Sequence, residues 1–126
     1  MEHLLYSDGN AKKISWAIKT ENDLREQFRD HADIYLDKVT NIQSKYIALH
    51  VGLFWSIGVF IIKNGDTVKI MLDSDEMIRH LSSDAKSDDQ MLEHKKRFIN
   101  QLGTQRNLKF IYEKISAAEN NASKFL

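Results

Sequence analysis

Residues 46–72 read YIALHVGLFWSIGVFIIKNGDTVKIML, and the first seventeen of them carry no formal charge. Such a run suits a membrane span, a buried helix or buried sheet. A membrane helix needs about 20 apolar residues, so this run lies at the short limit and length alone does not decide. Its content points to sheet, because Ile47, Val51, Ile57, Val59, Ile61 and Ile62 are β-branched. Asn64-Gly65 adds a hairpin signal, since both central residues of that turn take positive φ. Beyond it, Val68, Ile70 and Leu72 alternate with Thr67, Lys69 and Met71. A strand that ends at Asn64 starts well before it, so Trp55 to Lys63 and Tyr46 to Leu53 become the two preceding strands. The spacing predicts a three-stranded meander and no membrane segment.

Upstream, HLLYS and ISWAIKT flank DGNAKK, whose Asp, Gly and Asn favour a turn, so an opening hairpin is expected. From Thr20 the period changes. Leu24, Phe28, Ala32, Tyr35, Val39 and Ile42 recur every three or four residues, predicting an amphipathic helix over 21–43 with Thr20 and Asp23 as its capping pair. Its outer face is acidic, carrying Glu21, Asp23, Glu26, Asp30, Asp33 and Asp37. Downstream, Ser74 caps a short helix running to about Leu81, with Asp75 and Glu76 at the positive end of its dipole. Ser87 and Gln90 suggest a further cap ahead of Met91, Phe98 and Leu102, with Gly103 as the stop. The spacing of Leu108, Ile111, Ile115, Ala118, Ala122 and Phe125 then favours a last helix over a strand in LKFIYEKI.

The expected architecture is one α+β domain over residues 1–126. An antiparallel sheet of about five strands, hairpin then meander, is covered by the long helix of the N-terminal half and by the C-terminal helices. The meander is too apolar for an open face, so burial against a second copy, a homodimer, is expected. Eighteen basic residues balance eighteen acidic ones, which excludes a whole-molecule field drawing the chain to nucleic acid or anionic lipid. There is no cysteine, hence no disulfide and no thiolate chemistry, and MEHLLYSDGN lacks the pattern of a secretory signal. Both fit a cytoplasmic location.

Charge is uneven along the chain: after residue 90, seven basic residues face three acidic ones. Lys95, Lys96, Arg97, Gln105, Arg106 and Lys109 form a candidate nucleic-acid surface, the cations able to neutralise phosphates and Gln105, Arg106 and Asn107 able to reach base edges from a helix start. The plainer reading is a solvated helix face. A helix-turn-helix about Gly103 is disfavoured because Thr104 and Lys109 fall where its recognition helix needs apolar residues.

Asp73, Asp75, Glu76 and His80 are the metal candidates, as oxygen-rich ligands at a strand end with Glu76 and His80 on one helix face. Asp30, His31 and Asp33 are a second, weaker group. Most such acids merely cap helices, and no cofactor is expected. His50, inside the apolar run, is either a satisfied core histidine or an acid–base group. Trp16 and Trp55 suit a core, or the pocket of a small-molecule sensor.

The stretch IALHVGLFWSIGVFIIKNG, residues 47–65, resembles the first phosphate-binding hairpin of the actin and heat-shock-70 ATPase superfamily. There an Asp ends one strand before a Gly, and Ser or Thr with another Gly precedes the next. Gly52, Ser56 and Gly58 fit, but His50 replaces the Asp and the chain is too short for the two-lobed ATPase, so no function carries over. The leading functional expectation is a small non-enzymatic binding or adaptor domain acting through its helical surface on protein or nucleic acid. The alternative is a small metal-dependent nuclease or phosphotransfer enzyme using the acidic cluster after the meander.

Overall fold

The computed structural model describes residues 1–126. The opening hairpin forms as expected: β1 (Glu2–Gly9) pairs antiparallel with β2 (Lys13–Thr20). Asn10 closes the turn, its side-chain oxygen accepting from the amides of Lys12 and Lys13.

No helix follows. Residues Asp23–Asp30 form β3, an exposed strand antiparallel to β2. Glu21, at φ 55°, turns the chain between them. Leu24 and Phe28, four apart, lie on one face of a strand as readily as on one face of a helix, which is why their spacing misled. The capping box that does form belongs to the next element: the Thr40 side chain accepts from the Gln43 amide, and Gln43 reaches back to the Thr40 amide.

That element is α1 (Asn41–Gly58), so the apolar run is a helix and not a meander. It is apolar nearly all round because it is covered from more than one side. Tyr46, Ile47, Ala48, Leu49 and Leu53 are buried in the core cluster, and α1 packs on β1, β2 and a later helix. Burying each large side chain stabilises the fold by about 1.5–3 kcal/mol. No helix is long and apolar enough to cross a membrane. The ATPase-like hairpin therefore has no counterpart here. Most of the apolar run that pointed to a second copy is buried within the chain, with Phe54, Val59 and Phe60 left exposed, and nothing in the structure shows a homodimer.

Phe60, at φ 65°, turns the chain out of α1, and Gly65, at φ 86°, leads into β4 (Thr67–Leu72). The expected alternation holds in β4, where Val68, Ile70 and Leu72 are buried in the core. Next come α2 (Asp75–Ser82), capped by Ser74 as expected, and α3 (Gln90–Gln105), capped by Asp89 and not by Ser87. Gly103 lies inside α3. A Cβ there would come within 2.9 Å of the Phe110 ring, so its role is close packing and not a stop. The tail forms β5 (Lys109–Lys114) and two short 3₁₀ turns, not a helix.

The five strands make one mixed sheet in the order β3-β2-β1-β4-β5. β1–β4 and β4–β5 are parallel, so the sheet is not the antiparallel one expected. Each parallel pair requires a crossover, and α1 and α2–α3 supply them.

Candidate functional site

The parallel pair β1–β4 sets the site. Tyr6 lies beside Met71, and just beyond that pair Asp8, near the end of β1, and Asp73, the residue after β4, come close enough for one ammonium to reach both. In open α/β sheets this edge is where ligands collect.

α1 closes over it. Gly9 permits the approach: a Cβ there would come within 2.8 Å of the Ser44 backbone. Gly52, about two turns further along the same face of α1, lies against Trp16, where a Cβ would meet the indole at 3.0 Å. The helix so seated carries Lys45 to both acids, its ammonium 3.0 Å from Asp8 Oδ1 and 2.8 Å from Asp73 Oδ1. The Asp8 and Asp73 side chains are only 10% and 9% exposed, and that of Lys45 22%.

The remaining carboxylate oxygens are held by the C-terminal segment. Ser123 donates to Asp8 Oδ2, and Asn120 Nδ2 donates to Asp73 Oδ2 at 3.1 Å and to the Ser7 carbonyl at 3.1 Å. Ser15 fastens that segment to β2 by donating to the Ala122 carbonyl at 2.6 Å. Burial alone raises the Asp73 carboxyl, but the hydrogen bonds from Lys45 and Asn120 and the nearby ammonium hold it below the usual carboxylate range. Burial alone lowers the Lys45 ammonium, but its bonds to Asp73 and Asp8 and their charges leave it above the ordinary lysine range. The result is a fully paired, charge-assisted cluster of two acids and one cation.

Of the expected metal residues, only Asp73 belongs to this cluster. Asp75 is exposed and pairs with Lys114 at 3.2 Å, and Glu76 is exposed. His80 is buried between α1 and α3: Tyr46 Oη lies 2.6 Å from its Nδ1 and Glu93 Oε1 2.7 Å from its Nε2. Burial pushes the Tyr46 hydroxyl well up, with Glu76 and Glu93 adding to it. Asp30 and Asp33 are exposed, while His31 is buried and bridges the Asn10 carbonyl and the Ser44 hydroxyl. No three His, Cys, Asp or Glu side chains gather closely enough to hold a metal ion.

The basic residues are spread over two elements and a cap. Lys95 lies against His50 at 3.1 Å, Lys96 donates to the carbonyls of Ser83 and Ala85, and Arg97 and Gln105 are exposed on α3. Arg106 is the cap of α3 and Lys109 starts β5. His50 is half-buried and stacked on Phe98, and its ring is lowered to about 4 by burial and by the Lys95 charge. Trp16 is buried and Trp55 packs against it at 5.9 Å, both as core.

At the level of sequence, no family model and no curated protein matches the chain. Solved structures do match. RNase H1 from the halophilic archaeon Halobacterium salinarum aligns with a TM-score of 0.80 at 17% identity, over 98% of this chain and 96% of its own. The N-terminal RNase H domain of a Mycobacterium tuberculosis protein, solved fused to maltose-binding protein, gives 0.79 at 16%, over 98% and 95%. LC11-RNase H1, solved in complex with an RNA/DNA hybrid, gives 0.79 at 19%, over 97% and 91%. The chain has the RNase H-like fold, an α+β architecture with a mixed five-stranded sheet. The expectation of a non-enzymatic adaptor working through its helices is corrected by these likenesses. All three are nucleases, matched over nearly their whole length.

Proposed function

We propose that the chain is a nuclease acting on an RNA-containing duplex at the Asp8–Lys45–Asp73 site. One observation carries this reading: two nearly buried carboxylates end adjacent parallel strands at the ligand-collecting edge of the sheet, with a single positive charge between them. The RNA/DNA hybrid held by LC11-RNase H1 supports the choice of substrate.

The donor chemistry suits one divalent ion. Mg²⁺ takes oxygen ligands, commonly one or two carboxylates, and completes its shell with water and phosphate oxygens. A stand-in cation is already present as the Lys45 ammonium. Asp8 and Asp73 would hold the ion. When bound, it would neutralise charge on the phosphate and acidify a water. Ser123 and Asn120 fix the outer oxygens of the two carboxylates, so their inner oxygens stay aimed at the shared cation. Lys45, on a four-carbon stem, reaches the same place and can pair with the phosphate as a point charge. In hydrolysis, water adds to phosphorus and the ester oxygen leaves. The basic residues Lys95, Lys96, Arg97, Arg106 and Lys109, with Gln105, are proposed as duplex contacts away from the reacting phosphate.

The test is gel-resolved cleavage of end-labelled RNA annealed to DNA, with Mg²⁺ or Mn²⁺. Fragments from the wild type, lost in Asp73→Asn, support the proposal. An intact strand at every metal concentration, with the duplex bound, overturns it.

A further inference from the structure

We infer that Lys45 is a resident cation that competes with divalent metal for Asp8 and Asp73, so that metal binds only by displacing it. The inference deepens the nuclease reading and rests on it for its purpose, but it concerns cation binding alone and is tested without nucleic acid.

Lys45 Nζ touches the inner oxygen of each carboxylate, and the outer oxygens are taken by Ser123 and Asn120. Asp8 Oδ1 also accepts from the Gly9 amide at 2.8 Å. All four oxygens are therefore engaged, and the space between the two inner oxygens is filled by the Lys45 ammonium, so a divalent ion that bridges both acids must take the place of that head group. No third carboxylate or imidazole is near enough to tip that exchange toward metal. The ammonium has an advantage no free ion has, because it is covalently tethered and its attachment is fixed by the close seating of α1 at Gly9. It has also somewhere to go. Its side chain is 22% exposed against about a tenth for the acids, so the head can swing outward to solvent while the acids stay. The displaced ammonium then stands at the rim of the site as a fixed positive charge.

The experiment is a thermal-shift titration with Mg²⁺ and Mn²⁺ alone, confirmed by calorimetry, on the wild type, Lys45→Met and Lys45→Met/Asp73→Asn. Circular dichroism establishes that each variant is folded, and methionine preserves the packing of the lysine stem. Metal that binds the folded state raises its melting temperature. The expected result is a metal-dependent rise in Lys45→Met at concentrations at least roughly tenfold below any rise in the wild type, matching the loss of one partly screened ionic competitor. The double variant is expected to lose it. Equal shifts in wild type and Lys45→Met would overturn the inference, as would no shift in a folded Lys45→Met. Failure here leaves RNA cleavage to be read independently, and intact RNA leaves this titration standing.

Discussion

Lys45, from the second turn of α1, and Asp73, the residue that follows β4, meet at 2.8 Å, and the same ammonium lies 3.0 Å from Asp8. One side chain thus ties the helical layer to two strand ends. Removing it leaves two nearly buried carboxylates facing each other with no positive charge between them. Lys45→Met in metal-free buffer is expected to lose about 2 kcal/mol of stability in urea unfolding, less than for a fully buried pair because the lysine is partly exposed. An unchanged midpoint would mean the pair contributes nothing to the fold.

Gly9 sets the distance between α1 and β1. Gly9→Ala places a methyl against the Ser44 backbone, which cannot give way as a side-chain tip can. A loss of about 1–3 kcal/mol is expected from the forced backbone shift. Weaker RNA cleavage should accompany it, as Lys45 and Asp8 move apart.

Tyr46, His80 and Glu93 link α1, α2 and α3 in one chain of hydrogen bonds, buried at Tyr46 and His80 and partly exposed at Glu93. Tyr46→Phe keeps the ring and removes the hydroxyl, leaving His80 Nδ1 without its partner. The expected cost is about 1–2 kcal/mol by thermal or urea unfolding. A neutral substitution would show that the hydroxyl is replaceable by water.

His50 gives the pH dependence a sign. Its folded value is lowered to about 4, first by burial and then by the Lys95 charge, from an ordinary 6.5. Between those values the unfolded chain binds more protons than the folded one, so stability is intact above pH 6.5 and falls as the pH drops toward 4. With solvent screening of this half-buried ring, the loss attributable to it is about 1–2 kcal/mol. His50→Phe is expected to flatten melting temperature against pH across that window. An unchanged slope would assign the acid sensitivity to other groups.

The opening hairpin, the alternation of β4 and the Ser74 cap were legible because each is decided by neighbours in sequence. The 46–62 run was not. β-Branched content reads as strand, yet a helix covered by sheet and by α3 is free to be apolar on most faces, and tertiary burial overrode propensity. β3 was hidden by the shared four-residue spacing of Leu24 and Phe28. The site was half legible. Asp73 was singled out as a strand-end carboxylate, and Asp8 stands in an equivalent place before Gly9, a signal available in the sequence. What joins them is the parallel pairing of β1 with β4, which an assumed meander forbids. Lys45 was invisible for the same reason, since its reach depends on α1 starting at Asn41.

The most direct measurement is the initial rate of RNA-strand cleavage in an RNA/DNA hybrid as Mn²⁺ is raised, for wild type, Lys45→Ala and Asp73→Asn side by side. If the site works as described, the wild type cleaves only at high metal, Lys45→Ala reaches half its maximum at a lower concentration, and Asp73→Asn leaves the strand whole. An uncut strand from both wild type and Lys45→Ala at every concentration, with both proteins folded and hybrid-bound, would contradict it.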